Sequence, residues 1–491
     1  MGRRRRRHIE LFAICVLLFA GAWLRLRVSR DWVFAGSDSY AYVRLGDEWA
    51  EHGRFALGPD EPLEWYRRPL YPLFVRAVRV GTHAAPSGDA GWDGWRRIER
   101  AQIAIDVLVT GLLALLIARR LGGRVAGLVA LALAMTFPAT VWFTCGILTE
   151  PILAALTMAV LACLVLGRER PRRWFPVAAA FVALAAYLRP DGPMLAIAFV
   201  PALWSIGAWR QRLVVAALSI AVFVAVFAPW PLRNAIRVGS PHLADGMVDR
   251  YGHDVPHYRG YWRWLQTWAY DGAAAGELQA CFYNVKCRPT VASYQEHGAF
   301  SSYDERERVS ALFRLRQSEG VSARVSDGFA ILAHERRAAH PWRVLVALPL
   351  HRAWAMWSAA QDEPIANPRW EPWPSVTDRV RPHLPLVALA LLLGAAIAAV
   401  ALVVGRRTRA IAAVLVTTIV ARTALLAWSA YSLPRYLVSI DPACFVLVGA
   451  AVAELARFSL RIAAKRALLK SGARVTSASE SYSRASEGSR N

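Results

Sequence analysis

The chain has 491 residues, 56% of them hydrophobic, with a formal net charge of +23 and a mean hydropathy of +0.28. This length and apolarity fit one large membrane domain with a modest soluble part, and the apolar residues come in ten blocks that a soluble fold would not carry. The basic excess does not point to nucleic acid, because its clusters stand at alternate ends of the apolar blocks instead of gathering on one surface.

In chain order the blocks are 9–26, 101–118, 125–141, 147–166, 175–188, 193–208, 213–230, 384–404, 410–428 and 437–455. Each runs near the roughly 20 residues that a helix needs to cross the hydrocarbon core. Placing the basic clusters around 3–7, 119–124, 168–173, 210–212, 406–409 and 457–470 in the cytoplasm gives ten crossings with both termini inside. The expectation is a multi-pass protein of the inner (plasma) membrane whose basic residues also meet anionic lipid headgroups. Arg3 to Arg7, the first block and Ala20-Gly21-Ala22 together look like a signal peptide. Arg25 and Arg27 follow at once and no soluble domain begins there, so the block is read as an uncleaved first helix.

The fold class expected is therefore an all-α polytopic membrane protein with a small, mostly helical extracytoplasmic domain. Residues 1–230 form an N-terminal transmembrane domain with a first external loop at 28–100, and 383–456 form the C-terminal transmembrane helices. Between them lies an external segment, 231–382, too long and polar for a simple connection. Its stretch 303–337 has helix-favouring composition. The stretch 342–357 is apolar but interrupted by Arg343, Pro349, His351 and Arg352, and reads as an interfacial amphipathic helix. Cys281 and Cys287 lie in this segment and either pair or stay free. The basic tail 457–491 is expected to be disordered.

Chemistry-bearing residues gather at the outward ends of the helices. Asp38, with Tyr40 nearby, follows the first helix in Gly36-Ser37-Asp38-Ser39-Tyr40. A carboxylate there either accepts a proton from a hydroxyl or caps a helix. Arg68-Pro69-Leu70-Tyr71-Pro72 brings an extended stretch back toward the membrane. Glu150, in Thr149-Glu150-Pro151, is costly at that depth unless solvated or paired. Arg189 and Asp191 share a short loop in which they either pair with each other or Arg189 offers its planar donor fork to a phosphate. Arg233 follows Pro229-Trp230, and Arg435-Tyr436 precedes the last helix. His253-Asp254 with His257 imitates a metal-ligand spacing, but Pro256 breaks any helix that would align the imidazoles. No metal site, Walker loop or dinucleotide motif is read, so no cofactor is expected; a divalent metal is compatible with the acids but not indicated.

Taken in this order, Asp38 with Tyr40, Arg68-Pro69-Leu70-Tyr71-Pro72, Thr149-Glu150-Pro151, Arg189-Pro190-Asp191-Gly192, Pro229-Trp230 with Arg233-Asn234, and Arg435-Tyr436 resemble the GT-C glycosyltransferases of the polyprenyl-phosphate-sugar class. The resemblance is to glycosyltransferase family 39-like chains, the bacterial relatives of protein O-mannosyltransferases and aminoarabinose transferases, over about residues 10–455. It implies transfer of a sugar, with inversion, from a polyprenyl-phosphate donor to a protein, glycan or lipid acceptor on the outer face. Asp38 would be the base or acceptor-positioning acid and Glu150 the second acid, while Arg189 and Arg435 would neutralise the departing phosphate. Tyr40, Arg68, Tyr71, Asp191, Arg233 and Tyr436 would complete the substrate site. The family often carries two adjacent acids at the first position, where this chain has Asp38-Ser39. A transporter or lipid flippase of the same topology is the alternative, although such proteins place polar residues near mid-membrane and here Arg422 is the main charge inside a block. A non-catalytic scaffold that keeps the fold is a third reading.

Overall fold

The computed structural model describes residues 3–30, 37–80, 90–241, 257, 259–284, 286–359, 381–404, 408–429 and 432–463. Among them the chain is helical, and the only extended pairing is an isolated antiparallel bridge between Ala56 and Leu63. The expected features at 253–254, 406–407 and 464–491 lie outside the described residues.

The membrane part begins with α1 (Arg3–Ser29), followed by two short helices, α2 (Ser37–His52) and α3 (Leu70–Val78). The chain re-enters as α4 (Ala90–Ile105), passes through a π-helical turn at Asp106–Thr110 and continues as α5 (Gly111–Thr136). The blocks at 101–118 and 125–141 are two helices that meet at Gly123, whose φ of 81° is available to glycine at little cost. A β-carbon on the neighbouring Gly122 would stand 3.2 Å from the Ala450 Cα, so the two glycines permit both the reversal and the close helix contact beneath it. Next come α6 (Pro138–Thr144), α7 (Glu150–Gly167), α8 (Pro171–Leu188), a 3-10 turn at Gly192–Ala198 leading into α9 (Phe199–Trp204), α10 (Trp209–Phe227) and α11 (Pro229–Arg237). Several of these start with proline in the first turn, where the missing N–H costs nothing.

Seven of the described helices are long and apolar enough to cross a membrane. Among these α7 is 94% buried, whereas α1 is 11% and α10 17% buried, so α7 is the axis and the other two lie on the outside of the bundle. Arg25 ties α1 to this core. Wholly buried, it pairs with Asp106 at 2.6 Å and donates to the carbonyls of Gly21, Ala134 and Met135. Those bonds account for a charge that would otherwise be expelled from the bilayer.

The segment 231–382, expected to be external, carries α12 (Arg259–Leu265), α13 (Gly272–Tyr283), α14 (Val291–Glu296), α15 (Tyr303–Glu319) and α16 (Ala323–Ala339). Thr290, Ser302 and Ser322 cap the last three, each accepting a backbone N–H from three residues on. The helices enclose an aromatic core of Tyr261, Trp264, Phe282, Tyr294, Phe313 and Phe329, with Tyr261 and Phe282 stacked at 3.8 Å. Cys281 and Cys287 form a disulfide beside it.

After a π-helical turn at Arg343–Ala347 comes α17 (Leu348–Ser358), followed by α18 (Leu384–Val404), α19 (Arg409–Trp428), a 3-10 turn at Pro434–Leu437 and α20 (Asp441–Ala463). The 342–357 stretch does not lie alone on a surface. It runs antiparallel along the outer end of α19, where Arg352 donates to the Ala427 carbonyl at 3.4 Å and Trp357 Nε1 to Thr423 Oγ1 at 3.2 Å. Arg352 also donates to Ala269 O at 2.7 Å and Gln266 O at 2.9 Å, just beyond α12. Its cation thus meets carbonyls at the ends of two helices, where the backbone dipole favours it.

Candidate active site

Asp38 stands in the first turn of α2, where a carboxylate suits the positive end of the helix. Arg67 reaches it, with Nη2 at 3.1 Å from Asp38 Oδ1, and holds Glu64 Oε2 at 3.1 Å with its other terminal nitrogen. Glu64 Oε1 accepts the backbone N–H groups of Tyr66 and Arg67, so the acid and the turn hold the guanidinium in place. The sequence motif pointed to Arg68, but Arg68 turns the other way and packs its guanidinium 5.9 Å from the Phe227 ring. Asp38 keeps 40% of its side chain exposed. Tyr40, two residues on and therefore on another face of the helix, is exposed and meets Trp95 edge-on at 5.3 Å.

Tyr42 is four residues from Asp38 and shares its face. Burial and the Asp38 carboxylate push its phenol well above the usual tyrosine range, so it stays protonated. Its ring meets the buried Tyr71 edge-on at 4.8 Å, and the Tyr71 hydroxyl donates to Gln102 Oε1. Tyr42 also feels the charges of Arg189 and Glu150, and so stands between the first acid and a second cluster.

That second cluster is built on the outer end of α7. Glu150 is 2% exposed and lies 3.2 Å from Arg189 Nη1 and 3.8 Å from Arg435 Nε. Arg189 also donates to Thr149 Oγ1 at 3.0 Å and, through Nε, to Asp191 Oδ1 at 3.1 Å. The other Asp191 oxygen lies 3.0 Å from Arg422, the lone charge noted inside α19. Burial alone would raise the Asp191 carboxyl, but Arg189 and Arg422 together hold it below the usual carboxylate range. Tyr436 supplies a shared floor, its ring centre 4.7 Å from Arg189 and 5.1 Å from Arg435. Glu150, Arg189, Asp191, Arg435 and Tyr436 are therefore brought together from three separate stretches of chain.

Arg233 lies on a different wall. A cavity of about 960 Å³ opens between α2, α3, α8 and α11, lined by Trp49, Phe55, Leu73, Leu184, Tyr187 and Trp230 with Arg54, Arg233 and Arg237. Arg233 stacks 5.0 Å from Trp230 and 5.8 Å from Phe55, and donates to the Glu64 carbonyl at 2.9 Å. Through Glu64 this wall connects to Arg67 and Asp38. Among the described residues none of Arg54, Arg233 and Arg237 is ion-paired with a carboxylate. Burial and the adjacent Arg237 charge lower the Arg233 guanidinium, while the Glu64 carboxylate acts in the opposite sense.

Among the described residues no three His, Cys, Asp or Glu side chains gather to hold a metal ion. Asp38, Glu64, Glu150 and Asp191 are instead each engaged by a guanidinium. Arg67, which opens the 67–72 stretch, Glu64 and Gln102 were not among the expected site residues. The Glu64-x-x-Arg67 spacing was the available signal for the first two.

Comparison with known proteins agrees with this arrangement of helices. Residues 97–232 match the family model described as dolichyl-phosphate-mannose-protein mannosyltransferase, a stretch that includes Glu150, Arg189 and Asp191 but neither Asp38 nor Arg435. The archaeal oligosaccharyltransferase AglB from Archaeoglobus fulgidus, in complex with an inhibitory peptide and a dolichol-phosphate, superposes over 94% of this chain with a TM-score of 0.52 at 14% identity. The chain has the GT-C fold. It spans 52% of the archaeal enzyme's length. The same enzyme in complex with Zn and sulfate gives a TM-score of 0.50 at 14% identity, over 93% of this chain and 51% of that one. ArnT from Cupriavidus metallidurans bound to undecaprenyl phosphate gives 0.40 at 16% identity, over 89% and 77%. No curated protein matches the sequence.

Proposed function

We propose that this chain is an integral-membrane glycosyltransferase that moves a sugar from a polyprenyl-phosphate carrier to an acceptor hydroxyl on the extracytoplasmic face of the plasma membrane, with both termini in the cytoplasm. The observation that carries the reading is the apolar, arginine-bearing cavity joined through Glu64 and Arg67 to the partly exposed Asp38. An isoprenoid chain matches the Leu and Trp lining, and a phosphate matches guanidiniums without carboxylate partners. The GT-C fold supports the same class, since AglB holds a dolichol-phosphate in it.

In this reading Asp38 takes the proton as the acceptor oxygen attacks the anomeric carbon from the face opposite the carrier. The bond from that carbon to the phosphate oxygen breaks, the configuration inverts, and the phosphate leaves with the electron pair. Arg233 and Arg237 meet the charge that grows on the leaving oxygen. Arg189, the residue first expected there, already shares its charge between Glu150 and Asp191, so its part is to fix Glu150 beside Arg435. The charge-balancing role falls to arginine, and no metal is assigned.

The test is mass spectrometry of envelope glycans, glycoproteins and lipids from cells that lack the gene, complemented by variants. Wild type restores one glycosylated species. Asp38→Asn loses transfer by about 10²–10⁴-fold at normal protein level, and Arg233→Ala raises KM for the lipid donor. Wild-type turnover by Asp38→Asn would sink the assignment.

A further inference from the structure

The turn between α6 and α7, residues 145–149, delivers Glu150 to the site, and side chains from other elements take up its carbonyl oxygens. Gln102 on α4, wholly buried, donates from Nε2 to Gly146 O at 2.7 Å and to Thr144 O at 3.2 Å, while its Oε1 accepts from the Tyr71 hydroxyl. Ser39 on α2, also wholly buried, donates its hydroxyl to Ile147 O at 2.7 Å. Thr144 Oγ1 donates to Asp106 at 3.1 Å, itself fastened by Arg25. A carboxylate in place of Ser39 would set oxygen against the Ile147 carbonyl oxygen, so the site calls for a hydroxyl there.

We propose that Ser39 and Gln102 are positioning residues that clamp the 145–149 turn, fixing the separation between Asp38 and Glu150. Ser39 is the residue after Asp38, and the carbonyl it grips belongs to Ile147, three residues before Glu150. Gln102 joins the same turn to Tyr71, against which Tyr42 packs beside Asp38. The acids come from two helices that the clamp makes into one rigid unit. Its catalytic purpose rests on the glycosyl-transfer reading above.

A reporter lies inside the clamp. Cys145 is wholly buried, its thiol donating to Val141 O at 3.2 Å and to Arg25 O at 3.4 Å. In a Cys15→Ser background of the full-length protein in nanodiscs, the remaining free thiols are the buried Cys145, Cys163 and Cys444. Ser39→Ala and Gln102→Met, which remove the donors, are compared with Ser39→Thr, which keeps the hydroxyl. We expect N-ethylmaleimide to label Cys145 at least about tenfold faster in the first two, with Cys163 and Cys444 unchanged. Transfer from undecaprenyl-phosphate-linked sugar should fall roughly 10- to 100-fold in kcat, with KM held within about twofold. Ser39→Thr should match the parent in both readouts. Unchanged kcat in Ser39→Ala and Gln102→Met overturns the proposal. Faster labelling of all three thiols with kcat and KM both degraded also overturns it, since that marks loss of fold alone. If the parent transfers no sugar from lipid-phosphate donors while Cys145 still responds, the glycosyl-transfer reading falls, and with it the catalytic purpose of the clamp.

Discussion

Asp191 sits between two guanidiniums, Arg189 at 3.1 Å and Arg422 at 3.0 Å, and Arg422 is 3% exposed. Removing Arg422 leaves Asp191 with Arg189 as its partner, so the loss is that of one hydrogen bond to a charged group, about 1.5–3 kcal/mol. Arg422→Met should therefore lower thermal stability in detergent by that order, and adding Asp191→Asn should recover part of the loss. Strictly additive losses would show that the two do not couple. The sign of the pH dependence follows from the depressed Asp191 carboxyl. Its stabilisation is complete above the unfolded value near pH ~4 and fades as pH falls further, so this contribution is flat between pH ~5 and ~8. Much of the site was legible at this scale, since Asp38, Glu150, Arg189, Asp191, Arg435 and Tyr436 stand out as polar residues at the mouths of apolar blocks. Which of two adjacent arginines faces Asp38 was not legible, because Arg67 and Arg68 diverge through a turn whose shape depends on Glu64.

Among the elements, the external helices show where sequence pattern runs out. The helix-forming character of 303–337 follows from composition and from Ser302 and Ser322 as caps, matching α15 and α16. The aromatic core has no such signal, because its members are scattered from Tyr261 to Phe329 without a common period. Arg316 adds another long-range contact, donating to the carbonyls of Phe282, Asn284 and Cys287 around the disulfide loop. Closing so short a loop removes unfolded-state entropy of about 2 kcal/mol in the chain-entropy account. Cys281→Ser with Cys287→Ser should lower the unfolding free energy by about that amount, followed by hydrogen exchange in peptides of 259–339. Arg316→Met should cost as much or more, since it strands buried carbonyls; no change in either variant would mean that the aromatic core alone sets the domain's stability.

For the whole molecule, the apolar blocks and basic clusters carried the membrane class, and the one large surprise was α17. Its Arg352 suggested a side chain bound for water or headgroups. Three carbonyls from two different parts of the molecule capture it instead, and no local pattern encodes such a capture. That capture has a thermodynamic consequence. A cation shared between the end of α12 in the external domain and the end of α19 in the membrane makes opening of either unit expensive for the other, so both should melt in a single cooperative transition. Hydrogen exchange read by mass spectrometry in peptides of 259–339 and of 409–428 should then give coincident unfolding curves for the wild type and separate ones for Arg352→Met. Coincident curves in the variant would show that the two units are bound by their packing without this one guanidinium.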